Sequence, residues 1–253
     1  MLFNRGRSAA LRIVTVVLSV WLVQTAHGGG LTEQVRTYAM TVELEDKDIA
    51  MVRRVSWTRV EEDGEDAWRV STEHESSDLA RSVDTIHLAA EDLRPIRRYI
   101  SQGNTRVRLL YSDDMVRGKA WLQDGSVVPI EVGLDAPTVG DVAAAMTTLP
   151  LAPGYTTTLS SFDPTLVVVR RWKIEASGVE VIETPLGPVR TYPLELSDAD
   201  RPGGSGLYWV TEESPHHVVM SESRLPTSFG GGRETVVLES VSPAPTAPTS
   251  NGQ

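Results

Sequence analysis

The 253-residue sequence contains no cysteine, which excludes disulfide bonds, thiolate metal ligands and lipid attachment through an N-terminal cysteine. Long apolar runs are scarce as well. The run at 13–23 has eleven residues, well short of the roughly 20 that a membrane-spanning helix needs. Basic residues are fewer than acidic ones: the sequence has 24 Lys and Arg and 34 Asp and Glu, which gives a net charge of −10. An acidic surface repels phosphate backbones, so we expect no nucleic-acid partner.

Motifs of catalysis and cofactor binding are also missing. The sequence "GGSGL" at 203–207 ends in Leu207 where a nucleophile elbow needs a glycine, and there is no phosphate-binding loop or dinucleotide fingerprint. His216 and His217 are expected to point to opposite faces of a strand, so they cannot hold one ion together. We therefore predict no catalytic residue, no metal and no cofactor. A hydrolase ranks third, behind the two non-catalytic function classes described at the end of this section.

The order of residues 1–28 is that of a secretory signal peptide. Three arginines and no acid precede the apolar run, and small residues lead to Gly28. We expect cleavage after Gly28 and a periplasmic or secreted mature protein without a stable membrane span; an uncleaved N-terminal anchor is the alternative. Losing three arginines takes the net charge from −10 to −13.

At the other end, residues 242–253 are rich in Pro, Ser and Thr and have no large hydrophobe, and such a composition predicts a disordered tail. The region between, 29–241, is long enough to bury a sizeable core and is predicted to form a single β-rich domain.

Alternation of apolar and polar residues with period two fills most of this region. "TYAMTVELE" places Tyr38, Met40 and Val42 on one face, and similar runs follow, two of them interrupted by Arg53 and Arg170. This pattern predicts strands with one buried and one solvated face. Short Asp-Gly and Gly-Asn turns between them predict antiparallel neighbours in a meander.

One segment, "TVGDVAAAMTTLP" at 138–150, has helical periodicity instead. We predict a helix over 138–149, capped by Thr138 with Asp141 in the capping-box position and ended by Pro150. The predicted fold is mainly β: a curved antiparallel meander sheet or half-barrel, with one helix packed across its concave face.

The predicted ligand-binding residues lie where this helix faces the sheet. Val142 and Met146 belong to the apolar stripe of the helix, and Trp172, Ile174 and Trp209 belong to the strands. Small helix residues against indole rings either interlock as solid core or leave a cavity for an apolar ligand. The sequence leaves both outcomes open.

Three segments resemble successive pieces of a bacterial family of exported proteins that is catalogued only as a domain of unknown function. They are "LPLAPGYTTTL" at 149–159, "VIETPLGPVRTYPLEL" at 181–196 and "LYWVTEESPHHVVMSES" at 207–223. The resemblance covers the second half of the chain and implies no catalytic residues. The pattern is also similar, through architecture alone, to the clam-like half-barrels of the LolA and LolB lipoprotein carriers.

Two function classes remain. The first is a periplasmic non-catalytic binding or carrier protein for an apolar or lipid-like ligand, favoured by tryptophans on the apolar faces: Trp57, Trp68, Trp121, Trp172 and Trp209. The alternative is a cell-envelope interaction or assembly module without a small-molecule ligand, which would dock a protein partner through a strand edge or sheet face. Pro129 and Pro193 within strand-like runs predict edge strands for that purpose.

Overall fold

The computed structural model describes residues 31–200, 205–225 and 231–244. Within these residues the chain forms fifteen strands and one short helix, α1 (Val142–Met146). The strands are β1 (Gln34–Glu43), β2 (Asp48–Glu62), β3 (Glu65–Glu75), β4 (Ser82–Ala89), β5 (Pro95–Gln102), β6 (Thr105–Tyr111), β7 (Met115–Trp121), β8 (Val127–Gly133), β9 (Thr156–Asp163), β10 (Val168–Ala176), β11 (Glu180–Thr184), β12 (Gly187–Asp198), β13 (Ser205–Thr211), β14 (Val218–Arg224) and β15 (Arg233–Pro243).

All of these strands belong to one antiparallel sheet with two arms. The first arm runs outward from β1 to β8 in chain order, and the second runs from β15 back to β9, with β11 attached to β12. The first and last strands, β1 and β15, pair at the centre and join the arms. The edge strands of the described sheet, β8 and β9, do not pair with each other, so the curved sheet stays unclosed. The predicted mainly β meander with one helix is confirmed.

The strands form where the sequence alternates. In β1 the side chains of Tyr38, Met40 and Val42 are buried on the inner face, while the intervening residues are more exposed. The alternation predicted from Thr37 onward therefore holds. The strand begins earlier than the sequence indicates, at Gln34, and this adds the buried positions Gln34 and Arg36 to the inner face.

The link from β8 to β9 must travel from one edge of the sheet to the other, and it does so across the concave face. Its helix is shorter than the predicted 138–149. Asp141 is the N-cap, accepting the Ala144 N–H at 2.9 Å, and Thr138 is buried before it. The hydroxyls of Thr147 and Thr148 donate back to carbonyl oxygens one turn earlier, and such bonds compete with helix continuation.

Side chains of this crossing segment contribute to two clusters of the core. Ala144 packs in a cluster with Trp57 and Val70, and Met146 packs in a second cluster with Ile174. A third cluster brings Ile130 of β8 and Phe162 of β9 together, so the two sheet edges approach each other on the inner side. The helix therefore covers the concave side of the sheet, and the approach of the two edge strands narrows the opening between them.

Three further expectations concern the sheet edges and the C-terminal tail. Pro129 lies in the edge strand β8, as predicted, whereas the prediction for Pro193 is wrong. Pro193 lies in the interior strand β12, between the part paired with β11 and the part paired with β10. Strand β15 extends to Pro243, two residues into the predicted tail.

The predicted signal peptide and the rest of the predicted tail lie outside the described residues. Within the described ranges, no helix is long and apolar enough to cross a membrane.

Candidate functional site

A cavity of about 40 Å³ lies between α1 and the concave face of the sheet, where the strands of both arms meet. Strands β1, β2, β3, β13, β14 and β15 form its floor, and the start of the helix forms its roof. Its lining is mixed. Valines and alanines supply the apolar part, and the polar part includes Arg36, Tyr38, Arg53, Trp57, Asp141 and Tyr208. We call this cavity the hollow.

Both arginines of the hollow are placed by strand alternation. Arg36 is two residues before the inward-facing Tyr38 on β1, and its side chain is carried into the interior, where the residue is only 4% exposed. Arg53 is directly opposite Tyr38 on the neighbouring strand β2, between Met51 and Val55. A strand cannot turn one side chain outward without turning its whole face, so the apolar neighbours keep the guanidinium groups inside.

The hollow is rich in hydrogen-bond donors that have no acceptor. Nε and Nη2 of Arg36, Nε of Arg53 and the indole Nε1 of Trp57 are all buried without a hydrogen-bond partner among the described residues. Guanidinium and indole N–H groups can only donate. Most buried polar groups in folded proteins are paired, so such a concentration of unpaired donors is unusual.

The nearest aromatic and acidic groups compensate these charges only in part. The Arg36 guanidinium lies 6.0 Å from the centre of the Trp57 ring, and Arg53 lies 5.9 Å from that of Tyr38, within the range of cation–π attraction. Asp141 is the carboxylate of the lining, but it caps the helix and forms no ion pair with either arginine. Glu234, outside the lining, interacts with the charge of Arg53 but forms no ion pair with it.

Another inward arginine shows what full compensation looks like in this interior. Arg98 donates from Nε to Asp84 at 2.9 Å and from Nη2 at 2.5 Å. Burial disfavours its charge, yet the hydrogen bond and the charge of Asp84 outweigh burial and raise the pKa of Arg98. Arg36 is more deeply buried than Arg98 but has no such carboxylate. The hollow is therefore a concentration of positive charge.

Burial and the charges of the two arginines also shift the pKa values of nearby titratable groups. Burial lowers the pKa of His217 to about 4, with the positive charge of Arg36 as the second cause. Burial and then Arg53 lower the pKa of His74 to about 4 in the same way. Burial raises the pKa of Tyr208 to about 12, so its hydroxyl stays protonated and can donate as well. Both histidines are neutral near pH 7 and add no positive charge.

This arrangement suits the binding of an acceptor rather than a proton-transfer reaction. Guanidinium groups stay protonated at any physiological pH, and a planar carboxylate matches their geometry in a bidentate pair. No group of three or more His, Asp or Glu side chains within the described ranges is placed to hold a metal ion.

The five residues predicted to bind a ligand do not line the hollow. Four of them come together beside it: Met146 and Ile174, both 0% exposed, lie in one cluster with Val142 and Trp172. Trp209 is apart from them. It lies on the opposite face of β13 from Tyr208, and its Nε1 donates to Glu180 Oε1 at 2.6 Å. A direct ligand contact for these five residues stays a prediction.

His216 and His217 lie immediately before β14, so the prediction that they sit within the returning strand is wrong. His216 Nδ1 is 2.7 Å from the Thr211 carbonyl oxygen, and the backbone N–H of His217 donates to the Thr211 hydroxyl at 2.8 Å. These bonds hold the turn between β13 and β14 and orient the His217 ring toward the interior, where its Nδ1 is buried.

The sequence did carry a signal for the hollow. Arg53 interrupts an otherwise apolar strand face, and a charge at an inward position needs a partner or a ligand. Arg36 gave no such signal. The predicted alternation begins at Thr37, and an arginine that precedes a predicted strand is expected to lie on the surface.

Comparisons with other proteins agree with this fold. The sequence model of a family described as "Protein of unknown function (DUF3108)" matches residues 37–237. No curated protein sequence matches the chain. A beta-barrel-like protein of the domain of unknown function DUF1849 from Brucella abortus superposes with a TM-score of 0.51 at 10% identity, covering 83% of this chain and 97% of that one. That likeness shows the fold alone.

Two other solved structures align more weakly. A putative exported protein with a YmcC-like fold from Bacteroides fragilis gives a TM-score of 0.35 at 12% identity, covering 87% of this chain and all of that one, 100%. The MucA/MucB complex of Pseudomonas aeruginosa gives 0.19 at 12% identity, covering 88% of this chain and 97% of the matched chain. Similarities of this size support no statement about function.

Proposed function

The chain belongs to the DUF3108 family of proteins of unknown function, and from that premise we propose that it is a non-catalytic binding protein. Its ligand is an apolar or lipid-like molecule that carries an acidic group. The acidic group enters the hollow and accepts hydrogen bonds from the buried arginines, and the apolar part lies against the valines and alanines under α1.

The single observation that supports this proposal is the unpaired guanidinium of Arg36. The effective cost of burying a lone charge is several kcal/mol, and a protein recovers it only through an opposite charge with well-formed hydrogen bonds. Arg36 is 4% exposed and two of its nitrogens have no partner among the described residues. A carboxylate in the hollow would accept from these nitrogens and neutralise the charge.

The size of the hollow restricts the ligand. Drug-sized ligands occupy pockets of roughly 300–1,000 Å³, whereas the hollow measures about 40 Å³. A volume of this size suits the carboxylate end of an acid alone, with the apolar extension outside it. An acyl chain of lipid length needs additional room, which requires α1 to move away from the sheet. We therefore expect short-chain acids to bind to the structure as it stands.

The proposal is tested with a series of monocarboxylates of increasing length: acetate, butyrate, octanoate and palmitate. Binding is followed by tryptophan fluorescence, since Trp57 lines the hollow. We expect saturable binding of butyrate. Replacing Arg36 with methionine keeps an unbranched apolar stem and removes the charge, and it should weaken binding by about tenfold or more, as expected for a charged hydrogen bond.

Arg54→Met is the matched control, because Arg54 follows Arg53 on the same strand but points outward to an exposed ion pair with Glu75. It should bind as the wild type does. Ala143→Trp, which fills the hollow from the helix side, should abolish binding. The proposal is wrong if no acid of the series binds, or if Arg36→Met binds butyrate with unchanged affinity. Water molecules would then be the partners of Arg36.

We also propose that the protein acts outside the cytoplasm, in the periplasm or as a secreted protein. The support is the basic, apolar and small-residue order of residues 1–28, which lie outside the described residues. N-terminal sequencing of the protein from fractionated cells should find a mature chain that begins near Gly29. Recovery of the uncleaved chain in the membrane fraction would contradict this location.

A further inference from the structure

The outward side of strands β5 to β8 combines positive charge with exposed aromatic and aliphatic side chains. We call it the basic outer face and define it by Tyr99, Arg106, Arg108, Leu110, Lys119 and Trp121. These residues come from three adjacent strands of the first arm. The face lies on the side of the sheet opposite to α1, so it is independent of the hollow and of its ligand.

Strand register shows that these side chains are direct neighbours. Tyr99 of β5 pairs with Arg108 of β6, and Arg108 pairs with Lys119 of β7, which forms one continuous row across the sheet. In the next row Arg106 pairs with Trp121. Directly opposite residues on one face have their Cβ atoms about 5 Å apart, so the charges and rings form a single patch.

The cations of this patch are not neutralised. Arg106, Arg108 and Lys119 are exposed and form no ion pair within the described part of the chain. Their neighbours differ in this respect, since Arg97 pairs with Glu62 and Arg117 lies 3.6 Å from Glu131. Three free cations on one face are notable in a chain with a net charge of −10. The patch is a local positive field on an acidic molecule.

Apolar side chains are exposed among these charges. Leu110 is 62% exposed, and Tyr99 is 36% exposed. The Arg108 guanidinium lies 5.9 Å from the Tyr99 ring centre and 5.7 Å from that of Trp121, so two rings hold it in place. Arginine and aromatic residues are enriched in protein–protein interfaces, and ordering Arg108 in advance lowers the entropy cost of binding.

The adjacent strand β8 adds a docking edge. It pairs with β7 on one side and with no described strand on the other. Val127 of this strand pairs with Trp121, is 50% exposed and continues the apolar part of the face. A free edge next to a side-chain patch suits an extended segment that pairs its backbone with the edge and inserts alternate side chains into the patch.

We propose that the basic outer face docks an acidic polypeptide segment in an extended conformation, contributed by another protein. Its carboxylates pair with Arg108, Arg106 and Lys119, and its apolar side chains contact Leu110 and Trp121. A polypeptide fits better than a duplex or an anionic membrane, because the acidic remainder of this chain repels an extended polyanionic surface but not a short segment.

The test uses three probes at one salt concentration: a synthetic peptide that alternates glutamate and valine, a short DNA duplex, and vesicles with anionic lipid. Binding to the full chain is followed by fluorescence anisotropy of the labelled probe. We expect saturable binding of the peptide and weaker binding of the other two. Arg108→Glu combined with Lys119→Glu should lower peptide affinity at least tenfold, and Leu110→Ser should lower it by a smaller factor.

Lys47→Glu combined with Arg54→Glu is the matched control, since it reverses the same number of charges on exposed residues at the start of the first arm, away from the basic outer face. It should bind the peptide like the wild type, and so should Arg36→Met. The inference is overturned if the peptide does not bind, if the Arg108 and Lys119 reversals leave its affinity unchanged, or if DNA or vesicles bind more tightly. None of these results bears on acid binding in the hollow, which is measured separately.

Discussion

Individual arginines determine the polarity of this interior. Arg98 has the Asp84 carboxylate as its partner, and Arg170 has Asp163 at 3.2 Å, so both are inward charges with internal compensation. Arg36 has an indole ring and unpaired nitrogens instead. The difference lies in the neighbouring strands, which offer Arg36 valine and tryptophan rather than an acid. This asymmetry is the physical basis for placing a ligand at Arg36.

The histidine beside this charge gives a prediction about pH. The pKa of His217 is about 4 in the folded chain and 6.5 as the ordinary value, because burial and Arg36 disfavour the imidazolium. Between these values the unfolded chain binds the proton and the folded chain does not, so the contribution of His217 to stability is complete above pH 6.5 and is lost as pH falls toward 4.

His217→Gln cannot take up this proton, so its free energy of unfolding should fall less than that of the wild type between about pH 7 and about pH 5. Urea unfolding at several pH values measures the difference, with His216→Gln as the control for losing an imidazole at the same turn. Parallel stability curves for wild type and His217→Gln would show that His217 titrates normally in the folded chain.

At the scale of residues, the sequence indicated where charge enters the interior but not what surrounds it. The interruption at Arg53 was visible in the period-two pattern. The burial of Arg36 depended on a strand starting three residues earlier, and strand ends are poorly defined by alternation. Val142, Met146, Trp172 and Ile174 pack in one cluster, because helical and strand periodicity both define a face, while their predicted ligand contact stays a prediction.

Among the elements, the crossing segment between β8 and β9 determines the shape of the hollow. Gly140, immediately before the cap of α1, packs against β4 and β5. A Cβ atom built on it would lie 2.4 Å from Leu88 Cδ2, 2.6 Å from Ile86 Cδ1 and 3.3 Å from Pro95 Cβ. The absence of a side chain lets the segment lie close to the sheet.

Gly140→Ala should therefore destabilise the fold by about 1–3 kcal/mol, the usual cost of inserting a methyl group into a packed interior. Gly133→Ala is the control, because a Cβ at that position has no atom within 4 Å. It should be neutral or slightly stabilising through the unfolded state. Chemical denaturation of both variants measures the effect. Equal stability of the two would mean that the crossing segment moves away from the sheet without cost.

The presence of this element was predictable and its length was not. Residues at helical spacing identified a covered face, but the prediction of Thr138 as the N-cap was wrong, because Asp141 is the N-cap. The hydroxyls of Thr147 and Thr148 bond to the backbone one turn back, and this competition ends the helix at Met146 although the apolar spacing continues to Leu149.

On the scale of the whole molecule, the pairing of β1 with β15 joins both arms into one sheet, and α1 packs on strands from each arm. We propose that 29–241 is a single domain. Thermal unfolding followed by far-UV circular dichroism and by tryptophan fluorescence should give one coincident transition. Two separated transitions would divide the chain near the crossing segment and contradict the proposal.

The meander within each arm could be predicted because short turns force consecutive strands to pair. The pairing of the first strand with the last could not, since no local pattern links residues about 200 positions apart and only the shared need to cover one concave face brings them together. The hollow lies at that junction, with Arg36 on β1 and Val236 on β15. Its lining was therefore the least accessible part of the molecule to sequence reasoning.

The central claim, that Arg36 receives the acidic group of a ligand, is tested most directly by nuclear magnetic resonance of the arginine Nε–H groups during a butyrate titration. We predict that the Arg36 Nε–H signal shifts progressively to a limiting value while the Arg54 signal stays in place. An Arg36 signal that does not change at butyrate concentrations that saturate the fluorescence response, or a uniform response of all arginines, would contradict the claim.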